Sequence, residues 1–292
     1  MRSIDPKEIP VPQMHQLLLG AVGPRPIAFA STVDSEGRPN LSPFSFFNVF
    51  SANPPVLIFS PARRGRDNTV KHTYTNCKAT MEVVINVVNY EMVQQVSLSS
   101  TEYDEGVNEF EKAGFTMLAS EVVKPFRVAE SPVQFECRIN EVVELGAEGG
   151  AGNLVICEVL KMHIQDEILD ENGYIDQHKI DQVARMGGNW YTRAISGMFE
   201  VPKPLQTRGI GVDAIPEEVR NSNVLTGNDL GKLGNVEKFP SGEEIKQLFR
   251  ESPEIAELFE ENSKEKIHRK AKEYLENNKP AEAWKILLAK KK

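Results

Sequence analysis

A chain of 292 residues with 40% hydrophobic and 26% charged side chains can bury a substantial core, which excludes disorder over most of its length. Its formal net charge of -8 excludes a surface devoted to neutralising nucleic-acid phosphates. No run of about eighteen apolar residues occurs, and the start of the chain lacks the basic and apolar regions of a signal peptide, so the expectation is a cytoplasmic protein with no membrane or nucleic-acid partner.

Residues 1–20 read as a lead-in, where Pro6, Pro10 and Pro12 impose extended geometry before a short helix over 13–19. From Pro24 to Ile164 the dominant period is two. Ile27, Phe29 and Ser31 alternate along a strand over 26–33, Asp34 to Gly37 supply turn chemistry, and Asn40 begins the return strand. Pro39 and Pro43 cannot donate to a ladder, so residues 42–48 are expected to leave the sheet and free their amides. Further strands are predicted at 56–59, 79–86, 133–144 and 154–164, with helices at 68–76, 90–97 and 108–113. Without strict β-α-β alternation, this pattern favours an antiparallel barrel.

The run Glu148-Gly-Gly-Ala-Gly-Asn153 precedes a strand, whereas a dinucleotide fingerprint follows one, so it reads as a hairpin turn. Cys77, Cys137 and Cys157 are odd in number and in no metal-ligand spacing, and read as reduced, buried and small apolar residues; no metal site is expected. The chain divides into a lead-in at 1–20, a domain at 21–200, an irregular connection at 201–240 marked by Pro202, Pro204 and Pro216, and a helical extension at 241–292. In that extension Ser252 caps a helix that opens with Pro253 and Glu254 and carries Ile255, Leu258 and Phe259 on one face. A second helix runs through Ile267, Ala271 and Leu275, and Pro280 precedes a last one carrying Trp284, Leu287 and Leu288, ending in three lysines suited to a helix C-terminus.

Two segments carry candidate chemistry. The first, Ser60-Pro-Ala-Arg-Arg-Gly-Arg-Asp-Asn-Thr69, joins a strand to a helix. Arg63, Arg64 and Arg66 offer bidentate donors, and Asp67, Asn68 and Thr69 stand where a helix start would present free amides, so the segment suits a phosphate. The plainer reading is three surface arginines and an ordinary cap. The second is the kinked Ser42-Pro-Phe-Ser-Phe-Phe-Asn48 segment, which offers amide donors and flat apolar faces to an isoalloxazine ring, unless Phe44, Phe46 and Phe47 are simply core.

Gly23-Pro-Arg-Pro-Ile-Ala-Phe-Ala-Ser-Thr, Asn40-Leu-Ser-Pro-Phe-Ser-Phe-Phe, Asn53-Pro-Pro-Val-Leu, Asp67-Asn-Thr and Arg185-Met-Gly-Gly-Asn-Trp-Tyr191, in that order, resemble the flavin reductase-like family of FMN-binding split-barrel proteins over about residues 15–200. The resemblance implies a mainly β fold with peripheral helices, a six-stranded antiparallel split barrel, and a homodimer holding one FMN per subunit near its interface. By motif, Arg25, Pro26 and Ile27 lie along the flavin edge, and the backbone of Ser42, Pro43, Phe44, Ser45 and Phe46 meets the ring. Ser60, Arg63, Asn68 and Thr69 hold ribityl and phosphate, while Arg185, Gly187, Gly188 and Trp190 belong to a segment that closes over the flavin, often from the partner subunit. The alternative for that segment is an ordinary Gly-Gly turn with a buried Trp190.

The implied activity is NAD(P)H-dependent reduction of flavin, with FMN bound, or FMN or FAD as exchangeable substrate, and a partner oxygenase or other acceptor receiving the electrons. No side chain need be catalytic, since the flavin carries the redox chemistry; Arg25 or the amides of residues 42–46 stabilise the reduced ring. Family members often carry Gly-Asp-His before the last strand, where this chain has Gly150-Ala-Gly-Asn153; His163, at the far end of that strand, either approaches the site or is structural. The alternatives are a non-enzymatic FMN-binding or electron-transfer protein, a pyridoxamine phosphate oxidase-like FMN oxidase, and a chain whose helical extension makes it an interaction module.

Overall fold

The first helix, α1, spans Val11–Ala21 and so starts before the expected residue 13: Pro10 is extended, but Pro12 sits in the first turn, where a missing N–H costs nothing. The computed structural model describes the chain except residues 202, 206–207, 261–262 and 290–292 and the side chains of residues 249, 253, 254 and 256. Contacts group the chain into two units, Met1–Phe199 and Glu200–Lys292.

In the first unit the chain runs through strands β1 (Ala28–Val33), β2 (Pro39–Phe44), β3 (Phe47–Ala52) and β4 (Pro55–Phe59), helix α2 (His72–Thr80), strand β5 (Glu82–Val87) and helices α3 (Val93–Leu98) and α4 (Glu109–Ala113). A short pair, β6 (Met117–Leu118) with β7 (Arg127–Val128), precedes the long hairpin of β8 (Val133–Glu144) and β9 (Asn153–Ile164), and the hairpin β10 (Val183–Arg185) with β11 (Tyr191–Arg193) follows. The main sheet is antiparallel, ordered β2-β1-β5-β8-β9-β4-β3.

That order has a geometric consequence. β2 and β3 are the two edges of the sheet, yet Phe44 ends one and Phe47 starts the other. Three Cα steps span at most about 11 Å, so these ends of the two edges lie close together and the sheet must curl to bring them there. The sheet has seven strands rather than the expected six because one pass of chain breaks at Ser45 and Phe46 and supplies both edges. The expectation that residues 42–48 leave the sheet is likewise corrected to these two residues. Pro39 and Pro43 sit inside β2, opposite Val33 and Phe29, and are tolerated because β2 is an edge. The Glu109 carboxylate of α4 reinforces that edge, accepting from Leu41 N at 3.0 Å and Asn40 Nδ2 at 2.7 Å.

Alternation sorts the strands into two cores. Ala28, Ala30, Phe44, Leu57, Phe59, Val83, Ile85, Ile139 and Val155 pack with Cys77, Cys137 and Cys157 in one cluster, in which all three thiols are free and raised by burial. Ile27, Phe29 and Leu41 face the other way, against Val96 and Phe110 of α3 and α4. β1 is buried on both faces for this reason.

The strand expected at 79–86 begins only at Glu82, because Ala79 and Thr80 complete α2. His163 is tied into a structural network: its Nε2 lies 2.6 Å from Oε1 of Glu136, a wholly buried carboxylate that also accepts from the amides of Glu121 and Val122.

The second unit is helical: α5 (Glu217–Arg220), α6 (Gly227–Gly234), α7 (Gly242–Glu251), α8 (Pro253–Glu260), α9 (Lys264–Glu276) and α10 (Pro280–Leu287). The irregular connection expected at 201–240 therefore contains two helices. The weak helix propensity of Gly227-Asn-Asp-Leu-Gly-Lys-Leu-Gly234 hid α6, which is held by a reciprocal cap between Thr226 and Asp229 and by burial of Leu233. Trp284 is fully buried and donates Nε1–H to the Leu233 carbonyl at 2.9 Å. The side chains of Pro253 and Glu254, and the three terminal lysines, lie outside the described residues.

Candidate functional site

The corner where the two sheet edges meet is also where the candidate segments meet. Ser60 N, just past β4, donates to the Phe46 carbonyl at 2.9 Å, joining the charged loop to the break in the strand. Ser45 and Phe46 are half-buried, and the His15 ring of α1 packs edge-on against Phe46 with centroids 6.3 Å apart. Phe44 is core, and Lys71 Nζ lies 5.3 Å from the centroid of its ring.

The loop itself folds differently from the expectation. α2 starts at His72, so Asp67, Asn68 and Thr69 do not sit at a helix start. The Asp67 carboxylate takes both the amide and the hydroxyl of Thr69, at 3.1 and 2.7 Å, and Asn68 adopts φ 58°, a local turn that competes with helix initiation. These bonds, together with Arg66, hold Asp67 far below the usual carboxylate range. The arginines are also engaged. Arg63 grips Asn68 through its side-chain oxygen and carbonyl at 2.6 and 2.7 Å; Arg64 holds the Val70 carbonyl at 2.6 Å and Glu102 at 3.1 Å; Arg66 bonds Asp67 at 3.0 Å and also Glu102.

The glycine turn between β8 and β9 packs against this loop. Arg63 N donates to the Ala151 carbonyl at 2.9 Å, and Gly150 N returns a bond to Arg63 O at 3.0 Å. A Cβ on Gly149 would stand 3.1 Å from the Arg64 carbonyl, which is why this turn needs a residue without one. Asn153 N donates to Ser60 Oγ at 3.0 Å and its Nδ2 to Pro61 O at 2.8 Å, while its Oδ1, fully buried, has no partner.

The other predicted residues fall in two places. Arg25 is 5% exposed; its two terminal guanidinium nitrogens donate to carbonyls, of Leu19 at 2.7 Å, Val22, and Met186 at 2.7 Å, while its buried Nε has no partner among the described residues. Burial and the charge of Arg185 lower the pKa of Arg25. Ile27 faces the core between β1 and α3, so only its backbone and the exposed Pro26 can line an edge. Arg185 pairs through its backbone with Arg25, stacks 4.5 Å over the Tyr191 ring, and donates to the Gly188 carbonyl at 2.8 Å. Trp190, at the hairpin tip, is 77% exposed rather than buried. The sequence reading missed Lys71 and Glu102, since nothing local marks a lone lysine before a helix or an acid more than thirty residues from its arginines.

An antiparallel sheet curled until its two edges come together at one corner is shared with a split-barrel flavin reductase structure from Shewanella frigidimarina, which superposes with a TM-score of 0.59 at 24% identity, covering 70% of this chain and all of its own. The sequence profile of the flavin reductase like domain matches residues 21–183, and the chain belongs to that family. A protein of Aquifex aeolicus is 39% identical over 188 residues, 64% of this chain and 93% of its own length. Among solved structures, component B of nitrilotriacetate monooxygenase from Bacillus cereus superposes with a TM-score of 0.65 at 28% identity, covering 69% of this chain and 98% of its own. The 2-nitrobenzoate 2-nitroreductase of Pseudomonas fluorescens shares the fold at 24% identity, with a TM-score of 0.63, covering 72% of this chain and all of its own. The matched family region ends before the helical unit begins at Glu200. Among the described residues no helix is long and apolar enough to cross a membrane, and no cluster of metal-ligating side chains occurs.

Proposed function

We propose that this chain is an FMN-binding flavin reductase that moves hydride from NAD(P)H to flavin, as a homodimer, and hands electrons to a separate acceptor. The observation that carries this reading is the bond from Ser60 to Phe46, which joins a cation-rich loop to the aromatic corner of a flavin reductase fold. The orphaned Asn153 Oδ1 fits the group as well, as an acceptor waiting for a hydroxyl donor beside Ser60. The likeness to component B of a monooxygenase from Bacillus cereus supports an oxygenase as the class of acceptor.

Bound FMN would supply the hydride-accepting chemistry. Pro26, the backbone of Ile27 and the segment of Ser42, Pro43, Phe44, Ser45 and Phe46 would hold its ring; Ser60, Arg63, Asn68 and Thr69 its ribityl and phosphate end. Arg185, Gly187, Gly188 and Trp190 would cover it and exclude water. Arg25 acts as a positioning residue, fastening that covering hairpin to α1. The amides of Ser45 and Phe46, at the break between β2 and β3, would donate to the ring and stabilise negative charge on it. Purified protein should be yellow, or turn so with FMN, and should oxidise NADH or NADPH when FMN, FAD or a ferric chelate is added; a colourless protein that binds no FMN and turns over with no acceptor overturns the proposal.

A further inference from the structure

A count of charges around the loop separates its four cations into two kinds. Arg64 and Arg66 share the carboxylate of Glu102, and Arg66 also holds Asp67. Arg63 and Lys71 have no carboxylate within ion-pair distance among the described residues. Glu144, which feels Arg63 at longer range, is bonded instead to Tyr74 at 2.5 Å and Lys78 at 2.9 Å. Lys71 Nζ has no hydrogen-bond acceptor among the described residues either, and rests over the face of Phe44. Burial and the neighbouring charge of Arg64 outweigh the longer-range pull of Glu102 and hold this amine below the usual lysine value, so the folded loop maintains a half-desolvated cation with no ion pair at a cost.

We infer that Lys71 together with Arg63, and not Arg64 or Arg66, takes the phosphate of the bound flavin. The inference rests on the flavin-binding reading above and deepens it. A phosphate monoester carries about -1.5 to -2 at neutral pH, which matches two positive charges that form no ion pair among the described residues. Arg63 is already held by Asn68 in a fixed orientation, and it adds directional donors to the mobile point charge of Lys71. Arg64 and Arg66 are compensated by Glu102 and Asp67.

The test compares FMN with riboflavin, which lacks the phosphate, on the full chain by calorimetry. Lys71→Gln should weaken FMN on the order of 10- to 100-fold and leave riboflavin unchanged, and Lys71→Arg should restore most of the loss. Arg66→Gln should change neither ligand by more than about twofold, as befits an exposed ion pair. Equal loss of both flavins in Lys71→Gln, no loss of FMN, or a loss produced by Arg66→Gln overturns the inference. A readout that needs no variant is protection of the Lys71 amine from acetylation in the unaltered protein, read by mass spectrometry: FMN should protect it and riboflavin should not, and equal protection overturns the inference. If neither flavin binds, the proposed function fails, and inorganic phosphate decides this point separately: protection of Lys71 by phosphate upholds it, and no protection overturns it.

Discussion

The Arg25 guanidinium donates to the carbonyl of Met186 at 2.7 Å, across 161 positions of sequence, while its other nitrogen caps the end of α1. One side chain thus ties the first helix to the tip of the β10–β11 hairpin. Arg25→Lys keeps the charge and loses the fork, leaving part-buried carbonyls without their donor. It should cost about 2–4 kcal/mol in urea denaturation and speed proteolysis at residues 186–190. Unchanged stability would show that the fork does not hold the hairpin.

Gly187 marks the same junction from the other side. A Cβ there would stand 3.2 Å from the Gly20 Cα, backbone against backbone. Gly187→Ala should therefore lower stability by about 1–3 kcal/mol. The control is Gly65→Ala, whose Cβ meets nothing within 4 Å and should be tolerated.

The two tryptophans occupy opposite environments, Trp190 being 77% exposed and Trp284 fully buried. If the hairpin covers a bound flavin, FMN should quench the acrylamide-accessible component of the emission. Trp190→Phe should abolish that response. Equal fractional quenching from Trp284 alone would refute the covering role.

Glu136 sets a dependence on acid. Burial alone would raise its pKa, but the amides of Glu121 and Val122 and the His163 ring outweigh burial and hold it below the ordinary 4.5. A carboxyl depressed by folding contributes stability above its unfolded value and loses it as pH falls through its folded value. Stability should accordingly fall as pH drops below 4.5, and Glu136→Gln should flatten the curve there while costing about 1–3 kcal/mol at neutral pH. Parallel pH profiles for the two proteins would place the acid sensitivity elsewhere.

The long strands were readable because alternation is a local signal: β8 matches its predicted span, Val133–Glu144, and β9 starts one residue early. β3 was not readable. Phe47–Ala52 has the composition of a loop after Pro43, and its status as an edge depends on β4, its partner across a tight turn at Asn53 and Pro54. The loop at 63–69 was recognisable as cation-rich, but which cations are spent depends on Glu102, a tertiary neighbour. Likewise Arg25 was recognisable as part of a motif, whereas its use on carbonyls follows only from where α1 ends. Patterns reached the strands and the neighbourhood of the site; the distribution of bonds within it had to come from packing.

The break at Ser45 and Phe46 leaves no slack between the two sheet edges. One residue inserted there would turn β3 over, sending the half-buried Phe47 outward and the exposed Asn48 onto the core. A deletion would pull the edges past the register set by Ala28 with Phe44 on one side and Phe47 with Phe59 on the other. The corner is therefore constrained in length as well as in side chains.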